Sequence, residues 1–291
     1  MKLLTKFNLI FVLLFGTGLF VISRIAYQFL IENARSQVLK QAELMMASAR
    51  STRDYTSEEI KPLLVTNQAH TRRFLPQTVP AYAATTIFSR LRKNYPEYVY
   101  KEASLNPTNL RNRAVDWEAD VVGFFRNNPD KKEFVGEREA PTGRVLYLAR
   151  PITVAQSCLE CHNTPELAPR ALIKAYGSGN GFGWRENEVI AAQVVTVPMA
   201  VPVQIADQAF RKLMAYLIGI FIITLLVIDA ALVVTVIRPV RRLAQTADRI
   251  SKGELDLPEL PVKGNDEIAQ VTASFNRMYV SLVKAFGMLN Q

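Results

Sequence analysis

The chain has 291 residues, 49% of them hydrophobic, with a formal net charge of +9 and two cysteines. Much of the apolar content sits in two runs of membrane type, and the roughly 180 residues between them suffice for one core. The basic excess does not indicate a nucleic-acid-binding protein, because much of it lies in that intervening segment, which membrane topology places outside the cytoplasm.

Phe7 to Ile22 carries no charge and follows Lys2 and Lys6, the pattern of a signal peptide or a signal anchor. No small-x-small cleavage site follows. Apolar character resumes beyond Arg24 through Ile25, Ala26, Tyr27, Phe29 and Leu30, which predicts an uncleaved transmembrane helix over residues 7–30 behind a tail of residues 1–6. From Glu32 to about Leu64, Ala34, Val38, Ala42, Met45 and Ala49 recur at helical spacing, so this helix is expected to continue outward. The stripe of small residues suits packing either on the same helix of a second subunit or on the domain's own core.

A mixed α/β body follows. Tyr82 to Lys93 reads as a helix, Tyr98 to Leu105 as a strand, and Asp116 to Arg126 as a helix capped by Asp116 with Trp117 and Phe124 inward. Glu133 to Glu137 and Val145 to Ile152 read as strands joined by a turn at Pro141-Thr142-Gly143. Directly after them comes Cys158-Leu159-Glu160-Cys161-His162, the attachment signature of a c-type haem. Two thiols at this spacing can each add across one vinyl group of the porphyrin, and the adjacent imidazole then falls under the iron. Both cysteines of the chain are in this motif. A structural zinc site would need four ligands, a disulfide across so short a loop would stabilise little, and a thioredoxin-like pair would need a βαβ context that the pattern lacks. One covalently attached haem c, with its iron, is the cofactor expected. Arg170 to Tyr176 then reads as a short helix closed by Gly177, Gly177 to Gly183 as a glycine-rich loop, and Val189 to Val197 as a central strand ended by Pro198.

His162 is the expected proximal iron ligand, with Cys158 and Cys161 forming the thioethers. For the sixth position the candidates are His70, the other histidine of the chain, then an open or water-bound site, then Met199 after the last strand. A thiolate is excluded because no third cysteine exists. The propionates want cations, and Arg72 and Arg73 lead a basic stretch that includes Arg90, Arg92, Lys93, Lys101, Arg111 and Arg113 against Glu97 and Glu102. Most of these charges must be solvated, since two carboxylates cannot occupy eight cations. Phe182 and Trp184 are pocket candidates, with Tyr82, Phe88, Trp117 and Phe124 as further aromatics that would equally serve as core.

The second apolar run, Leu213 to Ile237, is 25 residues long and predicts a transmembrane helix over 213–237. Its one charge is Asp229, expected to bond the Thr17 hydroxyl of the first helix or to pair across a dimer axis. Arg238, Arg241 and Arg242 follow it, so both termini are expected in the cytoplasm and residues 31–212 outside it, the compartment in which c-type haem is attached. Leu243, Ala247 and Ile250, then Ile268, Val271, Phe275, Met278 and Leu282, repeat at coiled-coil spacing on either side of a Gly253–Gly264 linker too rich in proline and glycine to be helical. Pro239 near the start of the first coil and Asp266-Glu267 opening the second make residues 238–291 resemble a HAMP signalling module. The resemblance implies a homodimer paired through a parallel four-helix bundle.

The order Cys158 to His162 with Pro165, Ala168-Pro169, Tyr176-Gly177, Gly181-Phe182-Gly183-Trp184 and Val197-Pro198-Met199 resembles the PAS-like c-type haem sensor domains of bacterial signalling proteins. Upstream, Phe74, Thr78-Val79-Pro80-Ala81, Asn106-Pro107-Thr108-Asn109 and Trp117-Glu118 fit the same family over about Ala69 to Met199. The resemblance implies an α+β fold, a PAS-like antiparallel sheet with helices flanking the haem, and a role in sensing redox state or a diatomic gas. Some relatives fill the sixth iron position with cysteine, which this chain lacks.

The layout of membrane helix, exported haem domain, membrane helix and HAMP-like module is that of a transmembrane receptor in a bacterial cytoplasmic or a thylakoid membrane, its haem on the periplasmic or lumenal side. Because the chain ends a few residues past the second coil, no enzymatic activity is expected of it, and its output is expected through a separate kinase, cyclase or chemotaxis-type protein. A membrane-anchored cytochrome carrying electrons is the alternative, and it has no evident need of a coiled-coil transmitter.

Overall fold

The computed structural model describes residues 3–65, 73–141 and 143–289. Two compact units result, one of residues 27–210 and the other of residues 1–26 with 211–291. Helix α1 (Leu3–Tyr55) has 53 residues, about 80 Å at 1.5 Å per residue, whereas a bilayer core takes about 20 residues. A π-helical turn (Thr56–Ile60) and the short α2 (Lys61–Val65) extend it.

The unit of residues 27–210 is the α+β body anticipated from the sequence. Helix α3 (Pro80–Leu91) leads to β1 (Val99–Ser104), α4 (Asp116–Asn127), and the hairpin β2 (Phe134–Ala140) and β3 (Gly143–Thr153). One turn of helix, α5 (Leu159–His162), then α6 (Arg170–Tyr176) and β4 (Val189–Pro198) complete it. The strands form one antiparallel sheet in the order β1-β4-β3-β2, so β4 is internal, as its largely apolar, β-branched sequence predicts.

Strand alternation gives the sheet two faces. On one, Tyr100 aligns with Val195 and Leu148, Glu102 with Gln193 and Arg150, and Ser104 with Ala191 and Ile152. The apolar end of that face packs Tyr100, Val195, Val197, Leu146 and Leu148 against Val38, Ala42, Met46 and Ala49 of α1 and Ala84 and Phe88 of α3. The stripe of small residues on α1 is therefore used by the domain's own sheet. Met46, fully buried, takes the place expected of Met45, which lies one position round the helix and is only partly covered. The opposite face packs Ala103, Ala149, Ala192 and Val194 against Val121, Val122 and Phe125 of α4. Asp116 is the first helical residue of α4 and not its cap; Glu118 reaches back to accept from the Val115 N–H at 2.9 Å, held inward by Lys101 at 2.6 Å.

Helix α7 (Ala200–Leu232) begins in this unit and continues into the other, where it passes through a π-helical turn (Val233–Ile237) into α8 (Arg238–Ser251). Pro239 in the first turn of α8 can supply no N–H to the preceding turn, which accounts for the widening there. The apolar windows of α1 and α7 are long enough to cross a membrane and are not buried in the chain, as lipid-facing helices require. Asp229 Oδ2 accepts from Asn8 Nδ2 at 3.0 Å. Thr17, expected as its partner, bonds the carbonyls of Leu13 and Leu14 instead, the usual satisfaction of a hydroxyl inside an apolar helix. After α8 a non-helical connector runs to α9 (Glu267–Leu289) and is clamped to it. Asn276 bonds both the N–H and the carbonyl of Leu260 at 3.1 and 2.8 Å, while Tyr279 Oη accepts from the Leu257 N–H at 2.9 Å and donates to the Leu255 carbonyl at 2.8 Å.

Candidate functional site

At its β3–β4 end, the α1-covered face of the sheet changes from large apolar residues to Glu102, Gln193, Ala191 and Ile152. There Val154, Ile190 and Ala191 pack against Cys158, Leu159 and Trp184. The chain leaves β3, turns through Gln156–Cys158 and makes the single helical turn α5, which places Cys158 and Cys161 one turn apart, on neighbouring positions of a helical surface. Both thiols are half-buried and free. Burial pushes the Cys161 thiol up, so it is held protonated.

His162 is built in from three directions. Its ring stacks on Trp184 with centroids 3.9 Å apart and planes 18° from parallel. Its Nδ1 donates to the Gly181 carbonyl at 2.7 Å, and Thr108 Oγ1 lies 3.4 Å from the same nitrogen. The loop after α6 is folded back onto it, with the Gly183 N–H donating to Asn163 O at 2.6 Å and the Trp184 N–H to His162 O at 3.2 Å. Asn106, on the loop after β1, holds the other side of that loop by accepting from the Gly181 N–H at 3.0 Å and donating to Phe182 O at 3.3 Å.

Burial lowers the His162 pKa, and the Gly181 carbonyl only partly opposes it. The imidazole is thus neutral near pH 7 with its proton on Nδ1, and Nε2, which has no partner among the described residues, carries the lone pair. A metal-binding histidine needs this tautomer. Two thiols at thioether spacing beside a histidine so oriented are a donor set that suits covalent haem, and no cluster of three or more acidic, thiol or imidazole groups suited to a bare metal ion occurs among the described residues.

The other predicted residues fall in different places. Trp184 is at the site, and Phe182 is partly buried in the loop that wraps it. Phe88 belongs to the α1 side of the core and Trp117 and Phe124 to the α4 side. Met199 is buried with the α1 cluster beyond the far end of β4, about 25 Å along the strand from Ala191 at about 3.3 Å per residue; the structure does not bring it to His162. Arg73 is exposed. His70 and Arg72 lie outside the described residues; of the residues flanking them, one contacts the motif and another contacts α6. Lys61 Nζ is 3.5 Å from Glu160, and the Phe74 ring meets Tyr176 of α6 edge-on at 5.7 Å.

One feature was missed in the sequence. Arg53 bonds Glu102 at 2.5 Å, and the phenol of Tyr100 donates to the same carboxylate at 2.8 Å, all in the layer between the apolar core and Cys158. The signal was present: Arg53 continues the 38-42-46-49 stripe of α1, where a cation is out of character, and Glu102 sits at an inward position of its strand.

The chain is of the membrane signalling class: an antiparallel α+β domain stands between two apolar helices long enough to cross a membrane, followed by two helices joined by a clamped connector. Residues 31–198 match the family model described as Tll0287-like, more than half of the chain, and the chain belongs to that family. Residues 231–284 match the HAMP domain. Among curated proteins it is similar to the methyl-accepting chemotaxis protein CtpM of Pseudomonas aeruginosa, 32% identical over 106 residues, 35% of this chain and 18% of that protein. It is also similar to the signal transduction histidine-protein kinase/phosphatase MprB of Mycolicibacterium vanbaalenii, 45% identical over 49 residues, 17% of this chain and 10% of that protein. The chain thus spans less than a fifth of either relative's length. Among solved structures, the cyanobacterial heme-protein Tll0287 aligns over 55% of this chain and 94% of its own, with 17% identity and a TM-score of 0.43.

Proposed function

We propose that the protein is a transmembrane receptor whose exported domain carries one haem c, bonded through Cys158 and Cys161, with iron on His162 Nε2. The observation that carries this reading is the His162 ring, fixed by Gly181 and Trp184, its Nε2 without a partner among the described residues, beside two free thiols. When bound, the haem supplies a one-electron couple and an iron on which a diatomic gas can compete for the sixth position. The protein's part is to hold the imidazole neutral and correctly turned, to exclude water from its buried face, and to carry the resulting strain outward. His70 is the proposed sixth ligand, as the second imidazole of the chain. Arg72 and Arg73 are proposed near the propionates because they lead the basic stretch that follows it.

The signal is the redox state of the iron or its binding of a gas. It passes down the membrane helices to the HAMP domain, which pairs with that of a second copy and acts on a kinase of the chemotaxis or histidine-kinase type, the classes of signalling protein to which the chain is similar. Both termini lie in the cytoplasm and the haem on the opposite side in this reading, which the lysines and arginines bordering the two apolar runs support.

The test is to produce the full chain in a host that attaches c-type haem. Haem that stays on the polypeptide after denaturation and acid–acetone extraction is the expected result; haem that extracts freely refutes covalent attachment. Ferric and ferrous spectra of wild type beside His70→Ala test the sixth ligand, and an unchanged pair removes His70 from the iron. Carbon monoxide binding to the ferrous form separates gas sensing from redox sensing.

A further inference from the structure

We infer that Arg53, backed by Glu102, sets the reduction potential of the site and makes α1 the element that feels the charge on the iron; this rests on the haem reading above. The side chains of Arg53 and Glu102 are 24% and 6% exposed and meet at 2.5 Å between Nη1 and Oε2. Oε1 of the same carboxylate accepts from Tyr100 Oη at 2.8 Å, so both its oxygens are occupied. Burial works against the Arg53 charge, and the Glu102 carboxylate overrides it, so the guanidinium stays charged.

The position of the pair is what gives it meaning. Along α1 the face that packs on the sheet runs Val38, Ala42, Met46, Ala49 and then Arg53. On the sheet, the row that begins with Val197 and Val195 continues to Gln193, with Glu102 beside it on β1, and then to Ala191, which packs near Cys158. A buried ion pair in a stripe that is otherwise apolar is costly, and well-packed apolar residues would hold the two elements together at least as well. It sits one step from the motif, on the row that ends at Ala191 beside Cys158.

Electrostatics then fixes the sign. Ferric iron takes one electron from an external donor to become ferrous, so the charge of the site falls by one. A permanent cation nearby in a medium of low dielectric favours the electron-rich state. Arginine keeps its proton throughout, so none is exchanged there. Arg53 belongs to the same unbroken helix as the first apolar run, so a change of charge at the iron pulls on an element that enters the membrane.

The experiment is an equilibrium redox titration of the full-length protein in detergent, with dithionite and mediators, read from the haem absorption bands. Glu102→Gln keeps the volume and the Tyr100 contact but leaves Arg53 unneutralised. It is expected to shift the reduction equilibrium toward the ferrous form at least tenfold, about 59 mV for a one-electron couple. The apolar replacement R53M/E102L removes both charges and preserves packing; it is expected to lie below wild type and at least tenfold below Glu102→Gln. A role in packing alone, acting through solvent access, would move both variants the same way. Two shifts of one sign, both variants within threefold of wild type, or R53M/E102L at or above wild type overturn the inference. If wild type itself holds no covalent haem, the haem reading fails first, and the two failures are told apart by the extraction test.

Discussion

Replacing Gly181 by alanine should dismantle the support of His162. Gly181 has φ +83°, where an L side chain costs about 1–2 kcal/mol. A Cβ there would also stand 2.8 Å from both Cα and N of Thr108, backbone atoms that cannot swing aside as a side chain can. The loop must therefore withdraw, and with it go three hydrogen bonds: Gly181 N–H to Asn106, Asn106 to Phe182 O, and His162 Nδ1 to Gly181 O. At about 0.5–1.5 kcal/mol each these add about 1.5–4.5 kcal/mol. The expected loss is about 3–6 kcal/mol, a large part of a typical folding free energy of about 5–15 kcal/mol. Gly179→Ala is the control, since nothing lies within 4 Å of its added Cβ. Urea unfolding of the haem-free full-length chain, followed by the fluorescence of Trp117 and Trp184, measures both. A Gly181→Ala midpoint that corresponds to a change of less than about 0.5 kcal/mol, no larger than a surface substitution gives, would refute this account of the loop.

Asn276→Ala removes the partner of both the N–H and the carbonyl of Leu260, and should cost about 1–3 kcal/mol; proteolysis within residues 253–264 should speed up accordingly, and an unchanged rate counts against the clamp. Burial first, then the Glu102 charge, push the Tyr100 phenol far above its ordinary value. The unfolded chain releases that proton near pH 10 while the native chain keeps it, so the unfolded state binds fewer protons there and stability falls as pH rises above about 10. Tyr100→Phe should flatten the alkaline limb of thermal unfolding; an equally steep limb would show that Tyr100 is not its source. Asp229→Ala deletes the bond to Asn8 and should weaken packing of the apolar helices by about 0.6–2 kcal/mol, read as a lower midpoint in a reversible dodecyl sulfate titration.

Elements whose physics is local are legible in the sequence. The helix over Pro80–Leu91, the central strand Val189–Pro198, the Gly177 closure of α6 with φ +78° and the break between α8 and α9 all follow from periodicity and from residues that start or stop an element. The choice of cap failed at Asp116, because Glu118 is drawn inward by Lys101 on a strand distant in sequence. The partner of Asp229 was misassigned because two membrane helices can meet in many rotations and offsets, and only their packing selects Asn8 over Thr17.

By itself the sequence determined the Cys158–His162 motif, the two apolar spans and the order of the parts, since each depends on spacing or composition within a short stretch. Tertiary structure alone decided how His162 is held, through a carbonyl nineteen residues on and a ring twenty-two residues on. It also decided that Met199 stands a strand's length away and that Arg53 meets Glu102 across forty-nine residues of chain. The reason is that the tautomer of an imidazole and the charge beside a motif depend on which groups the packed core brings within a few ångströms, and no periodicity in the chain encodes that.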